Sequence, residues 1–124
     1  MGTLLIWFNI NSGKVRLITL WILSGLLALA FLGAGGAKLA GAAAMVQLFG
    51  KVGLGQWFRY FTGVLEVAGA IGLLISRYAF YAAILLALVM VGAIIAHITV
   101  LGTSPVAPIV LLALSGTIAY LRKP

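Results

Sequence analysis

The chain has 124 residues, 65% of them hydrophobic and only 7% charged, with a mean hydropathy of +1.28, which excludes an ordinary soluble domain and predicts an integral membrane protein. There is no cysteine, so disulfides, thiolate nucleophiles and cysteine-ligated zinc or iron–sulfur sites are excluded. The formal charge of +7 comes from cations standing singly or in pairs beside the ends of apolar runs, a pattern suited to lipid headgroups and not to nucleic acid.

Residues 1–13 read as an interfacial lead-in, with Trp7 and Phe8 followed by Asn9, Asn11 and Ser12. No residue between Arg16 and Lys38 is charged. At about 1.5 Å per residue, Leu17 to Ala37 covers roughly 31 Å, the thickness of a bilayer's hydrocarbon core, and a first span is predicted over about 17–39. Lys14 and Arg16 before this run and Ala40-Gly41-Ala42 after it imitate a secretory signal, but the run is too long for one. Gly33, Gly36, Ala37 and Ala40 are spaced for a close helix contact. The glycines ahead of Lys38 are not a phosphate loop, which needs Gly immediately before the lysine and Ser or Thr after it.

Met45, Leu48, Phe49 and Val52 recur at i, i+3, i+4 and i+7, with Gln47 and Lys51 on the other side. This predicts a short amphipathic helix over about 42–52, lying at the membrane surface. Gly53-Leu54-Gly55 turns the chain, and Trp57 and Tyr60 are placed to anchor a second span over about 60–76. That span is interrupted by Glu66 and ends at Ser76-Arg77-Tyr78. Trp7, Trp21, Tyr78 and Tyr120 suit the opposite interface.

No residue between Arg77 and Arg122 is charged, a gap long enough for two spans, about 78–101 and 105–121. Gly102-Thr103-Ser104-Pro105 divides them, with Thr103 or Ser104 as cap and Pro105 helping to start the last helix. Spans in lipid must satisfy their own backbone groups, and these runs do not alternate as barrel strands do. The fold expected is therefore all-α: one transmembrane domain, residues 1–124, forming an integral membrane four-helix bundle with an interfacial amphipathic helix between the first and second spans. Lys14, Arg16, Arg77, Arg122 and Lys123 fall on one side and Lys38, Lys51 and Arg59 on the other. The excess of cations puts both termini in the cytoplasm of a multi-pass protein of the cell (inner) membrane.

Few ionisable groups fall inside the spans: Lys38, Glu66, the sole acid of the chain, and His97, with Arg59 close by. In alternating helices all four lie toward the side of the amphipathic helix. A carboxylate within a span costs on the order of 3 kcal/mol unless paired or neutral, so Glu66 must face the interior. Thr62, Gly63, Gly69 and Ala70 lie on its side of the helix, and small residues there let a neighbour bring Lys38 or His97 within reach. Two roles are open to this cluster: a small pocket that handles a proton or binds the polar head of a lipid-like ligand, or a structural ion pair with a hydrogen-bonded histidine. A single histidine without cysteine gives no expectation of a metal site.

Three segments carry a further signal: Phe31-Leu32-Gly33-Ala34-Gly35-Gly36-Ala37-Lys38-Leu39, Leu65-Glu66-Val67-Ala68-Gly69-Ala70, and Met90 to His97, with the Gly53-Leu54-Gly55 turn before Trp57. In the order and spacing of Lys, Glu and His the chain resembles the DoxX-like family of small membrane proteins from about Leu20 to Lys123. The resemblance implies a four-helix membrane bundle and a connection with membrane redox chemistry, since some relatives look like subunits of thiosulfate:quinone oxidoreductase. Others resemble accessory or chaperone-like partners of membrane proteins. The absence of cysteine speaks against direct thiol or sulfane-sulfur chemistry here.

The function expected first is thus a small accessory or structural subunit of a membrane complex, packed against a membrane-protein partner or a second copy and surrounded by lipid. The alternative is a subunit of a quinone-linked oxidoreductase, with a quinone at the Lys38, Glu66 and His97 site. A small oligomeric transporter is a third.

Overall fold

A computed structural model of the chain describes residues 2–124, and for residues 3–12 the backbone alone. Trp7, Phe8, Asn9, Asn11 and Ser12 therefore lie outside the described side chains. The described residues are all-α, with five α-helices: α1 (Gly2–Ala40), α2 (Ala43–Val52), α3 (Gln56–Leu73), α4 (Ala79–Ala96) and α5 (Val106–Arg122). A single π turn, His97–Leu101, continues α4.

These bounds differ from the sequence expectation at three points. The lead-in is helical backbone continuous with α1. The second long helix starts at Gln56, ahead of Tyr60, because Gly55 (φ 97°) turns the chain there, and it stops at Leu73, leaving Leu74 to Tyr78 as turns. The third is α-helical only to Ala96, after which the carbonyl of His97 accepts the amides of Gly102, in the left-handed region at φ 62°, and Thr103. Ser104 Oγ accepts the amide of Val106 at 3.3 Å at the start of α5.

The four longer helices lie side by side in the order α1, α3, α4, α5. α1 and α3 run antiparallel: a Cβ on Gly35 would lie 2.9 Å from Gly63 O, and one on Gly63 would lie 3.0 Å from Leu39 Cγ. α3 and α4 are likewise antiparallel, with Leu86 seated on Gly69 and Ala82 on Gly72. Among the glycines at the end of α1, Gly35 is the one that stands against α3. Gly33 and Gly36, expected at a helix contact, have nothing within 4 Å of where a Cβ would stand. With 3.6 residues per turn, Gly35 shares a face with buried Phe31 and Ala28, whereas Gly33 points about 200° away from it.

The packed core is small. Leu27, Phe31, Leu73, Leu86 and Ile118 form its centre, with Ala28, Ala70 and Ala83 between them. Ser24, Arg59, Glu66 and Ser115 are also buried. The exterior carries much of the large apolar surface, including Leu26, Leu29, Leu88 and Ile98, each more than 60% exposed. Two helical segments, Gly13–Ala40 and Ala79–Leu101, are long and apolar enough to cross a membrane.

α2 packs against α3 and the π turn. Gly41 (φ 72°) and Gly53 (φ 81°) bracket it, and the amide of Gly53 closes its last turn on the carbonyl of Phe49. Its apolar stripe turns inward, toward the space between α1, α3, α4 and α5.

Candidate functional site

Gly35 and Gly63 let the backbones of α1 and α3 touch, and one turn further along α1 that contact sets Lys38 against Glu66. Lys38 Nζ is 2.6 Å from Glu66 Oε1 and 3.4 Å from the carbonyl of Ala34. Glu66 is 2% exposed and the Lys38 side chain 13% exposed. The pair is largely out of water, and each charge is tolerable there because the other compensates it.

Arg59, grouped with this cluster in the sequence, does another job. It is buried, and its guanidinium donates to the carbonyl of Lys38, closing the C-terminal end of α1, where a cation is favoured. Arg59 Nε donates to Gln56 Oε1 at 2.8 Å, and the guanidinium carbon stands 4.2 Å from the centre of the Tyr60 ring. Gln56 Nε2 in turn donates to the carbonyl of Val46 at 3.0 Å, tying α2 to α3. Arg59 thus supports Lys38 through its backbone and does not line the cavity described next.

His97 is not brought onto Glu66 or Lys38. Its Nδ1 lies 2.6 Å from Thr103 Oγ1, across the π turn, so one ring nitrogen is engaged in holding the loop residue Thr103 to the end of α4. His97 instead forms part of the far wall of a cavity of about 610 Å³, on whose near wall Lys38, Thr62 and Glu66 stand. Thr62 Oγ1 donates to the carbonyl of Phe58 at 2.8 Å and keeps its lone pairs for an acceptor role.

The remaining lining is apolar. Met45, Leu48, Phe49 and Val52, the stripe read from the sequence as the face of a surface helix, form the roof. Leu85, Val89, Met90 and Ala93 of α4 and Pro108 and Leu111 of α5 form the walls. α1 and α5 touch far less than the other neighbouring pairs. Met45 and Met90 both face this space. The amphipathic period of α2 was legible in the sequence, but a period has no sign: it shows that one face is apolar without saying what it covers. Gln56 carried a weak signal as a polar residue opening an apolar helix.

Helices with an apolar exterior, a buried ion pair and a largely apolar cavity define a class of small helical proteins suited to a hydrophobic surrounding. The DoxX-like family matches residues 22–118, which include Lys38, Arg59, Glu66, His97 and every residue lining the cavity, and the chain belongs to that family. No curated protein and no solved structure matches the chain.

Proposed function

We propose that this DoxX-like protein is a multi-pass protein of the cell (inner) membrane that binds a lipid-like molecule, the polar head meeting Lys38 and Glu66 and the apolar body filling the cavity. In this reading α1, α3, α4 and α5 span the bilayer as a four-helix bundle with both termini in the cytoplasm, and α2 lies over the cavity. The outward Leu, Ile and Val side chains support immersion in lipid. The single observation that carries the binding role is the cavity. Its volume of about 610 Å³ falls within the usual range of about 300–1,000 Å³ for small-molecule sites, and its walls are apolar apart from a few convergent polar groups.

A quinone is one molecule of this description, and a quinone-linked subunit would use the same pocket. The accessory-subunit reading draws on a different feature, the uncovered Gly33 and Gly36 face of α1, against which a partner helix could pack closely.

Native mass spectrometry of the protein extracted gently from its membrane separates the two readings. A stoichiometric amphiphile that is lost when the cavity is filled by Ala93→Trp supports ligand binding. A stoichiometric protein partner, with no amphiphile retained, replaces it with the accessory role.

A further inference from the structure

We infer that the cavity selects uncharged amphiphiles, with a hydroxyl, carbonyl or amide head, over matched carboxylates, phosphates and amines. This rests on the ligand-binding reading above and names the class of ligand.

The charged side chains on the wall are Lys38 and Glu66, and they are in contact with one another. An anionic head at Lys38 would either displace Glu66 or share the ammonium with it, and both put two negative charges against one positive charge in an apolar space. A cationic head meets the mirror-image obstacle at Lys38. Removing one partner of a buried pair is unfavourable because the other charge is stranded. Arg59 does not line the cavity, and its guanidinium is directed at Gln56, the carbonyl of Lys38 and the face of Tyr60. Lys51 and the other cations lie off the wall.

A neutral head meets no such obstacle. Lys38 has three donor hydrogens, of which the carbonyl of Ala34 takes one, and Glu66 Oε1, 2.6 Å away in the ion pair, is a buried oxygen with no hydrogen-bond donor on it among the described residues. A carboxylate has acceptor sites beyond the one that Lys38 occupies. A hydroxyl placed beside the pair can accept from Lys38 and donate to Glu66 while the pair stays together. Thr62 Oγ1 adds a further acceptor on the same wall, and His97 Nε2, the ring nitrogen not facing Thr103, adds a polar contact across the cavity.

The test uses full-length protein in nanodiscs of zwitterionic lipid and a 16-carbon alcohol carrying a mid-chain diazirine. Photolabelling of the cavity walls is competed with unlabelled 16-carbon alcohol, carboxylate and amine at equal mole fraction in the membrane. The alcohol is expected to compete at least tenfold better than either charged analogue. Glu66→Gln should move the preference toward the carboxylate by tenfold or more, Lys38→Gln toward the amine, and Lys38→Gln with Glu66→Gln back to the alcohol. A wild-type protein that takes the carboxylate or amine as well as the alcohol overturns the selectivity while leaving ligand binding standing. No labelling of the cavity by any probe overturns ligand binding itself, and this inference with it. The wild-type ranking decides alone if the variants do not assemble.

Discussion

Lys38 Nζ and Glu66 Oε1 meet at 2.6 Å one turn from the place where Gly35 and Gly63 bring the backbones of α1 and α3 together. The ion pair and the glycine contact are parts of one arrangement: without the close approach the pair would be stretched, and without the pair the approach would bury a lone carboxylate.

Breaking one half of the pair should therefore be costly. Lys38→Met leaves Glu66, 2% exposed, without its partner, and is expected to destabilise the protein by about 3–5 kcal/mol. Lys38→Met combined with Glu66→Leu should recover most of that loss, because no charge remains buried. Thermal unfolding in detergent micelles compares the three proteins. A single variant as stable as the wild type would show that the pair is solvated.

The two glycine positions separate packing from helix propensity. Gly33→Ala and Gly35→Ala gain the same backbone preference, up to about 1 kcal/mol. Only at Gly35 does the new Cβ meet Val67 Cγ2 at 2.8 Å and Gly63 O at 2.9 Å. Gly35→Ala should be less stable than Gly33→Ala by about 1–3 kcal/mol in the same unfolding experiment. Equal stability would mean that α1 and α3 are not in backbone contact at this point.

The contact between His97 and Thr103 predicts a coupling. Thr103→Val should cost about 0.5–1.5 kcal/mol, as the loss of one modest hydrogen bond. The same change made on top of His97→Ala should cost nothing further, and a double-mutant cycle measures the difference. Additive losses would free His97 from the loop and leave both ring nitrogens available to the cavity.

Orientation can be read with single cysteines, since the chain has none of its own. Gly13→Cys, Ser76→Cys and Pro124→Cys are expected to react with a membrane-impermeant maleimide only from the cytoplasmic side, and Leu54→Cys only from the other. The reverse pattern would invert the protein, and labelling of Ser76→Cys and Leu54→Cys from one side would rule out α3 as a spanning helix. At the end opposite α2, Arg122 stands 4.7 Å over the ring of Trp21 and Arg77 5.7 Å over that of Tyr78, as cations and aromatic side chains do at a lipid headgroup layer.

The apolar part of α1 and the region of α4 and α5 were legible from charge, in the gaps between Arg16 and Lys38 and between Arg77 and Arg122, whereas the bounds of α3, which carries Arg59 and Glu66, and the extension of α1 through Lys14 and Arg16 were not. That Glu66 must face inward was legible too, because a lone carboxylate cannot face hydrocarbon. What each polar residue would meet was not. Lys38, Arg59 and His97 have similar claims on Glu66 by depth, and the rotation of each helix about its axis decides among them. That rotation is set by which small residues allow backbones to touch.

Composition and spacing thus determined the all-α class, the approximate helices and the short roster of ionisable groups, since these follow from local hydropathy and chain geometry. Tertiary packing alone decided that Gly35 and not Gly33 makes the contact, that Lys38 takes Glu66 while Arg59 closes the end of α1 and His97 holds the π turn, and that the stripe of α2 roofs a cavity. Each of these depends on the relative rotation and spacing of helices distant in sequence, which no single helix's periodicity contains.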